Sequence, residues 1–396
     1  MHTSTKAAAL AVVSAAALAL AGCQADTGST ATGEPIVVAS VNALSGPVTF
    51  PEASAAAQAV FDRFNKDGGL DGRPIQYVKL DDKGDPSAAS AAARDAVESS
   101  GAVALVGGAS LLDCEVNHEY WEQNDIVSVQ GTGVDPFCFT TPNIAPVNTG
   151  PFFDSALTLA YGSEVLGLKK ICGLLEIAGS TRPAYQEAFD WWTETTGNDF
   201  TLLDDTVPYG AADYTPYVIK AKEAGCDGIY SNGVEPDALG VLKAAESQGM
   251  NDVTFLFLTS TYSEQFAAAA SFVGKGVYVP AEFAPYTIDN MANDDWKRLM
   301  ESAGIPLTSF GQGGYLAATH FIELLTSIKG DITRESVTAA AKAQTEGTDN
   351  PMAGTPYLFG DGDTHAPNTA GWPITIKPGS TVWERAEDSW ITKDDF

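Results

Sequence analysis

The chain has 396 residues, 44% of them hydrophobic and 18% charged, with a formal net charge of −29. That length exceeds one ordinary core and predicts two domains. An acidic balance with no basic cluster excludes nucleic acid and anionic membrane surfaces as partners.

The N-terminus reads as an export signal. Met1–Lys6 carries one lysine, and Ala7–Leu20 is apolar but too short to anchor stably across a bilayer. Leu20-Ala21-Gly22-Cys23 resembles the bacterial lipobox, so residues 1–23 are expected to be a lipoprotein signal peptide with Cys23 lipidated. A plain secretory signal with an incidental cysteine is the other reading. Residues 24–35, rich in Gly, Ser and Thr, form a flexible tether. Beyond Cys23 stand Cys114, Cys138, Cys172 and Cys226, an even count that suggests disulfides in an exported chain. Three pairings are open. Cys114–Cys138 is favoured because these residues border two neighbouring loops. Cys172 and Cys226 each open a predicted strand and can pair if those strands are neighbours. No Cys-x-x-Cys occurs, so no metal or redox role is expected.

In chain order, Pro35–Ala43 is a strand stopped by Leu44-Ser45-Gly46-Pro47. Residues 52–67 place Ala56, Val60, Phe61 and Phe64 on one helical face. Ile75–Leu80 is the second strand. Asp85 caps a helix with Pro86 at its first position. Apolar runs at 102–106 and 126–129, with a helix near 115–123 between them, end at Gly107-Gly108 and at Gly131-Thr132-Gly133. Short apolar runs that alternate with helices and end in glycine are the pattern of buried parallel strands. In open α/β sheets, ligands sit outside the carboxyl ends of such strands.

The rhythm breaks at 142–150, a crossing segment, and then restarts. Helices are predicted at 152–165, from the loop 179–183 through Trp191 and Trp192, at 214–224 and at 235–248. Strands are predicted at 171–175, 200–207, 228–231, 253–258 and 276–279. Residues 280–286 cross again. Three helices without intervening strands (290–303, 310–328, 333–343) dock on the first sheet, and the tail crosses a third time with strands at 357–359 and 373–376. Gly360-Asp361-Gly362-Asp363 lacks the full spacing of a calcium loop and reads as a turn. Trp191, Trp192 and His320 lie mid-helix and read as packing. The chain has no dinucleotide fingerprint, phosphate-binding loop, nucleophile elbow or His-Glu-x-x-His, and its four histidines are scattered, so an enzyme has no catalytic constellation to stand on.

Several runs together resemble the type I periplasmic binding proteins, in the leucine/isoleucine/valine-binding branch of ABC-transporter solute receptors. They are Ile36–Pro47 (IVVASVNALSGP), Phe64–Pro74 (FNKDGGLDGRP) with Leu80-Asp81-Asp82, Val103–Gly108, Asn124–Gly131, and Asp213-Tyr214-Thr215 followed by Lys222–Asp227 (KEAGCD). The resemblance implies an α/β fold of two doubly wound parallel-sheet lobes joined by three crossing strands. It places residues 36–146 plus 285–355 in one lobe and 147–284 plus 356–396 in the other. It implies a monomeric receptor, not an enzyme. The receptor would be tethered to the bacterial cell membrane through its lipid alone, close on a small-molecule ligand, and present it to an ABC permease with its ATPase. No cofactor or metal is expected.

The resemblance also names the ligand loops: Phe50 after the first strand, Ser110, Leu111 and Asp113 after the third, and Thr132 and Gly133 after the fourth. Arg182, Glu235 and Thr259 come from the second lobe, and Phe310 from the late helix. The usual serine and threonine pair for an α-carboxylate is replaced here by Leu112-Asp113 and Thr132-Gly133-Val134. The acid for an α-ammonium is replaced by about Thr259. Either Glu235 and Arg182 substitute, or the ligand is a small carboxylate, amide or aromatic compound instead of an amino acid. Arg182 is a carboxylate clamp or a solvated arginine in equal measure. Glu235 and Asp113 fit helix capping as well as ligand binding, and Phe50 and Phe310 fit core packing as well as stacking. Thr132, flanked by glycines at a sheet edge, is the strongest single candidate. Two rival readings are a receptor of this fold that signals to a membrane sensor, and an exported α/β hydrolase.

Overall fold

The computed structural model describes residues 31–287, 291–366 and 368–396. The signal segment, Cys23 and most of the tether lie outside them. Two sheets organise the chain. The first has strand order β2-β1-β3-β4, all parallel, formed by β1 (Ile36–Asn42), β2 (Ile75–Asp81), β3 (Leu105–Val106) and β4 (Ser128–Val129). The apolar runs around β3 and β4 are longer than the regular ladder. Their flanks still bond, Leu105 N–H donating to the Val127 carbonyl and Gly107 N–H to that of Val129, each at 2.9 Å.

The second sheet has order β11-β10-β9-β8-β7-β5-β6. It is formed by β5 (Ile171–Glu176), β6 (Leu202–Val207), β7 (Gly228–Ser231), β8 (Thr254–Leu256), β9 (Gly276–Ala281), β10 (Trp372–Ile376) and β11 (Glu384–Arg385). Strands β5 to β9 are parallel, but β10 runs antiparallel to β9 and β11 antiparallel to β10. The expected parallel sheet is therefore mixed. Parallel pairing needs a crossover that returns the chain to the same end. Here the chain leaves the carboxyl end of β9 for the first sheet and comes back from that side. The expected strand at 357–359 reduces to one bridge, Thr348 with Tyr357.

Eleven α-helices lie among the described residues: α1 (Pro51–Lys66), α2 (Pro86–Arg94), α3 (Asp113–Gln123), α4 (Pro151–Ala160), α5 (Arg182–Thr196), α6 (Thr215–Ala224), α7 (Glu235–Ser247), α8 (Glu264–Ala269), α9 (Asp294–Ala303), α10 (Ser309–Ser327) and α11 (Arg334–Lys342). None is long and apolar enough to cross a membrane. Helix α2 starts as the sequence predicts, with the Asp85 carboxylate accepting from Ala88 N–H at 2.9 Å. Helices α9 and α10 pack on α1, α10 also on β3 and β4, and α11 on α10. Small residues make the α1–α10 approach close: Ala53, Ala56 and Ala57 on α1 are fully buried. A Cβ at Gly314 would collide with the Ala53 backbone carbonyl, and one at Gly313 with that of Gly131. Both disulfides form. Cys114 pairs with Cys138, Cα atoms 5.2 Å apart, and Cys172 with Cys226, 5.9 Å apart, because β5 and β7 are neighbours. His320 stacks on Tyr357, and Trp192 is buried with its indole N–H on Ser163.

The chain passes between the sheets at 142–150, after β9, and between α11 and β10. One residue ties the three passages. The Glu282 carboxylate accepts from Gly150 N–H (2.6 Å) and Asn148 Nδ2 (3.0 Å), and its backbone carbonyl accepts from Asn368 Nδ2 (2.6 Å).

Candidate functional site

A cavity of about 60 Å³ lies where the carboxyl ends of both sheets face each other. Most of its walls are strand-to-helix loops, as the end-of-strand rule requires. Leu111 follows β3, Thr132 to Val134 follow β4, Tyr209 follows β6, and Asn232 and Val234 follow β7. Leu258, Thr259 and Ser260 follow β8, and Glu282 follows β9. The remaining wall comes from helix starts. Pro151 and Asp154 belong to α4, Tyr185 to the first turns of α5, and Ser309 and Phe310 to α10, whose start is fixed by the Thr308 hydroxyl accepting from Gly311 N–H at 3.1 Å. Phe50 and Phe310 stack with centroids 4.6 Å apart. They also line a neighbouring cavity of about 280 Å³, which takes in Glu52, Glu235 and Asp237.

Of the residues singled out from the sequence, Phe50, Leu111, Thr132, Gly133, Thr259 and Phe310 come together on the smaller cavity. Glu235 lies in the neighbouring one and accepts from the Ser263 hydroxyl at 2.6 Å. The other three stand elsewhere. Ser110 is turned inward: its hydroxyl donates to Asp82 and accepts from Leu112 and Asp113 N–H, both at 2.9 Å, holding the start of α3. Asp113 is buried at the first position of α3. It is neither a cap nor a cavity group, and its carboxylate accepts from Asn117 Nδ2 and Gln130 Nε2, each at 2.8 Å. Burial pushes its carboxyl up to about 6 despite those donors. Arg182 points outward, with its side chain 54% exposed and paired with Asp205, so solvation and a surface acid hold it away from the cavity.

The sequence reading missed the ionisable groups of the site. Asp154 is 1% exposed and Glu282 is 2% exposed. One Asp154 oxygen accepts from Thr259 N–H at 2.9 Å, while Oδ1 has no partner. Burial, then the nearby Glu282 charge, holds the Asp154 carboxyl well above the usual range. Burial likewise pushes Glu282 up to about 7, against the donors Gly150 and Asn148. Buried Tyr185 and half-buried Tyr209 add two phenols whose ionisation desolvation suppresses. The available signal was a lone acid inside an apolar run, Asp154 in FFDSALTLA and Glu282 in PAEFAPY, since carboxylates are rarely buried without a role or partner. The grouping of Cys114, Asp135 and Cys138 has both sulfurs in a disulfide, leaving an ion one carboxylate. Chemically, the site is an apolar and aromatic chamber with two acids at its floor.

A family profile described as periplasmic binding protein matches residues 35–381. The Leu/Ile/Val-binding protein of Escherichia coli K12 is 28% identical over 240 residues, covering 58% of this chain and 64% of that protein. The chain thus matches about three-fifths of the length of its curated relatives. Among solved structures, a fatty acid ABC transporter substrate-binding protein from Thermomonospora curvata superposes with a TM-score of 0.78 at 18% identity, over 94% of this chain and 96% of that one. A leucine binding protein LivK from Thermotoga maritima gives 0.75 at 15% identity, over 91% and 100%.

Proposed function

Because the chain belongs to the periplasmic binding protein family, we propose that it is the extracytoplasmic solute-binding receptor of an ABC importer, making and breaking no bond. The observation that carries this reading is the cavity between the two sheets, walled from both and floored by buried polar groups. Ligand sites of this kind are concave, largely apolar and supplied with a few convergent polar groups. Residues 36–146 with 285–355 and 147–284 with 356–396 act as two lobes, and the three passages between the sheets act as the hinge. The ligand is a small polar or amphipathic organic solute. The names of relatives and structural neighbours range from Leu/Ile/Val-binding to fatty acid transport, which supports the role and leaves the solute open. The receptor works as a monomer, held at the membrane by lipidated Cys23.

A thermal-shift screen of the full chain against amino acids, small carboxylates, amides, amines and aromatic acids tests this. A ligand at ~100 times its dissociation constant adds about 2.7 kcal/mol, or roughly 2–4 °C for a chain of this size. No shift with any class would overturn the receptor reading. Ligand-dependent uptake into vesicles carrying the permease separates import from signalling.

A further inference from the structure

The floor of the cavity carries two buried acids and, among the described residues, no cationic side chain, and that imbalance specifies a ligand. Asp154 lines the cavity, and its Oδ1 is buried with no hydrogen-bond partner. Glu282 lies beside it in the same wall. No Arg, Lys or His is among the described residues that line this cavity, and the nearest arginine candidate, Arg182, is engaged by Asp205.

The backbone N–H groups of Gly131, Thr132, Gly133 and Thr259, which could cradle an anion, are already engaged. The N–H groups of Gly131 and Thr132 both donate to the Gly108 carbonyl, at 3.0 and 3.1 Å. Gly133 N–H donates to Asn148 Oδ1 at 2.8 Å. Thr259 N–H is taken by Asp154, and the Ser309 hydroxyl donates to the Thr259 carbonyl at 3.0 Å. A ligand carboxylate would thus enter a closed space beside two acids and find no cationic side chain and none of these N–H groups free. A buried like-charge contact of that sort is strongly unfavourable.

We propose that the cavity selects a protonated primary or secondary amine with an apolar body and no carboxylate, its ammonium donating to Asp154 Oδ1 next to Glu282. This rests on the receptor reading and names its solute class. The body lies against the Phe50–Phe310 stack and the side chains of Leu111, Val234 and Leu258. A quaternary ammonium is excluded because it has no N–H to give. The wider cleft is consistent: the neighbouring cavity carries Glu52, Glu235 and Asp237, and the net charge of −29 draws cations toward the mouth.

Three matched probes test the inference by calorimetry on the full chain: 3-methylbutylamine, leucine and 4-methylpentanoate. They share the branched body and differ only in ammonium and carboxylate. The amine should bind tightest, with affinity rising as pH increases through neutrality. Asp154→Asn keeps the acceptor for Thr259 and removes the charge. It should weaken the amine roughly 10- to 100-fold, the worth of a charge-assisted hydrogen bond, with an unchanged melting profile. Glu282→Gln is the second variant should the first misfold, read by the changed preference among the three probes and not by absolute affinity, since a shifted closing equilibrium scales all three alike. Tighter binding of leucine or of the acid overturns the amine inference and leaves the receptor reading standing. Binding by none of the three also overturns it, and the wider solute screen then judges the receptor reading alone.

Discussion

Glu176→Gln at the end of β5 should flatten the stability profile of the empty protein between pH 7 and pH 9. Glu176 is fully buried. The Tyr214 hydroxyl reaches both Glu176 Oε1 (3.1 Å) and Asp237 Oδ1 (2.5 Å), but it has one proton to give. The second oxygen of each acid has no partner. Burial, then the Asp237 charge, pushes the Glu176 carboxyl from 4.5 up to about 9. The folded chain therefore holds a proton that the unfolded chain releases above its own lower value. Stability falls as pH rises through that window, at about 1.4 kcal/mol per pH unit for one group. Between pH 7 and pH 9 this amounts to a loss on the order of 2–3 kcal/mol. Glutamine keeps an acceptor for Tyr214, gives Asp237 an N–H, and does not titrate. Glu282 and Asp135, both pushed up to about 7, titrate in either protein and cancel in the difference. Urea unfolding of both proteins at pH 7, 8 and 9 measures it. Parallel profiles, within about 0.5 kcal/mol of each other, would mean that Glu176 is already ionised at pH 7 and would refute the burial argument.

Three further outcomes follow from the packing. Gly314→Ala puts a Cβ against the Ala53 backbone, which cannot yield as a side chain would. It should cost about 1–3 kcal/mol or more by overpacking, seen as a lowered melting temperature. Replacing Cys172 and Cys226 by serine opens a loop of sequence separation 54. The loss should be about 4 kcal/mol on the chain-entropy estimate, read by urea unfolding of variant and oxidised wild type with Cys114–Cys138 intact in both. Thr132→Trp fills the cavity from the β4 loop and should abolish solute binding while the circular dichroism stays native; unchanged affinity would remove that loop from the site.

Strand and helix order was legible because each buried run carries its own signature: glycine after β3 and β4, Asp85-Pro86 before α2, and apolar stretches without charge. The Cys172–Cys226 bond was legible only conditionally, since it depends on β5 and β7 being neighbours and not on local pattern. The antiparallel entry of β10 was invisible for the same reason, direction being set by where the chain returns from. Cavity-lining residues after strand ends, such as Thr132 and Thr259, could be found by position. Arg182 could not be judged that way, because its fate depends on Asp205, a partner on a neighbouring strand. Asp154 and Glu282 sit in segments whose neighbours are core residues, and only the assembled structure puts them on one cavity.

Glu282 belongs at once to the cavity floor and to the junction of all three passages. On the proposed receptor reading, grip and gate would have no clean separation. Apparent affinity is intrinsic affinity scaled by the fraction of molecules in the competent shape, and this one side chain enters both factors. A change at Glu282 that leaves every solute contact intact can still move the measured constant by shifting the balance between open and closed forms. If the solute is the proposed amine, ionised acids facing each other on the floor would resist closure until it arrives, and a permease would then meet few empty carriers.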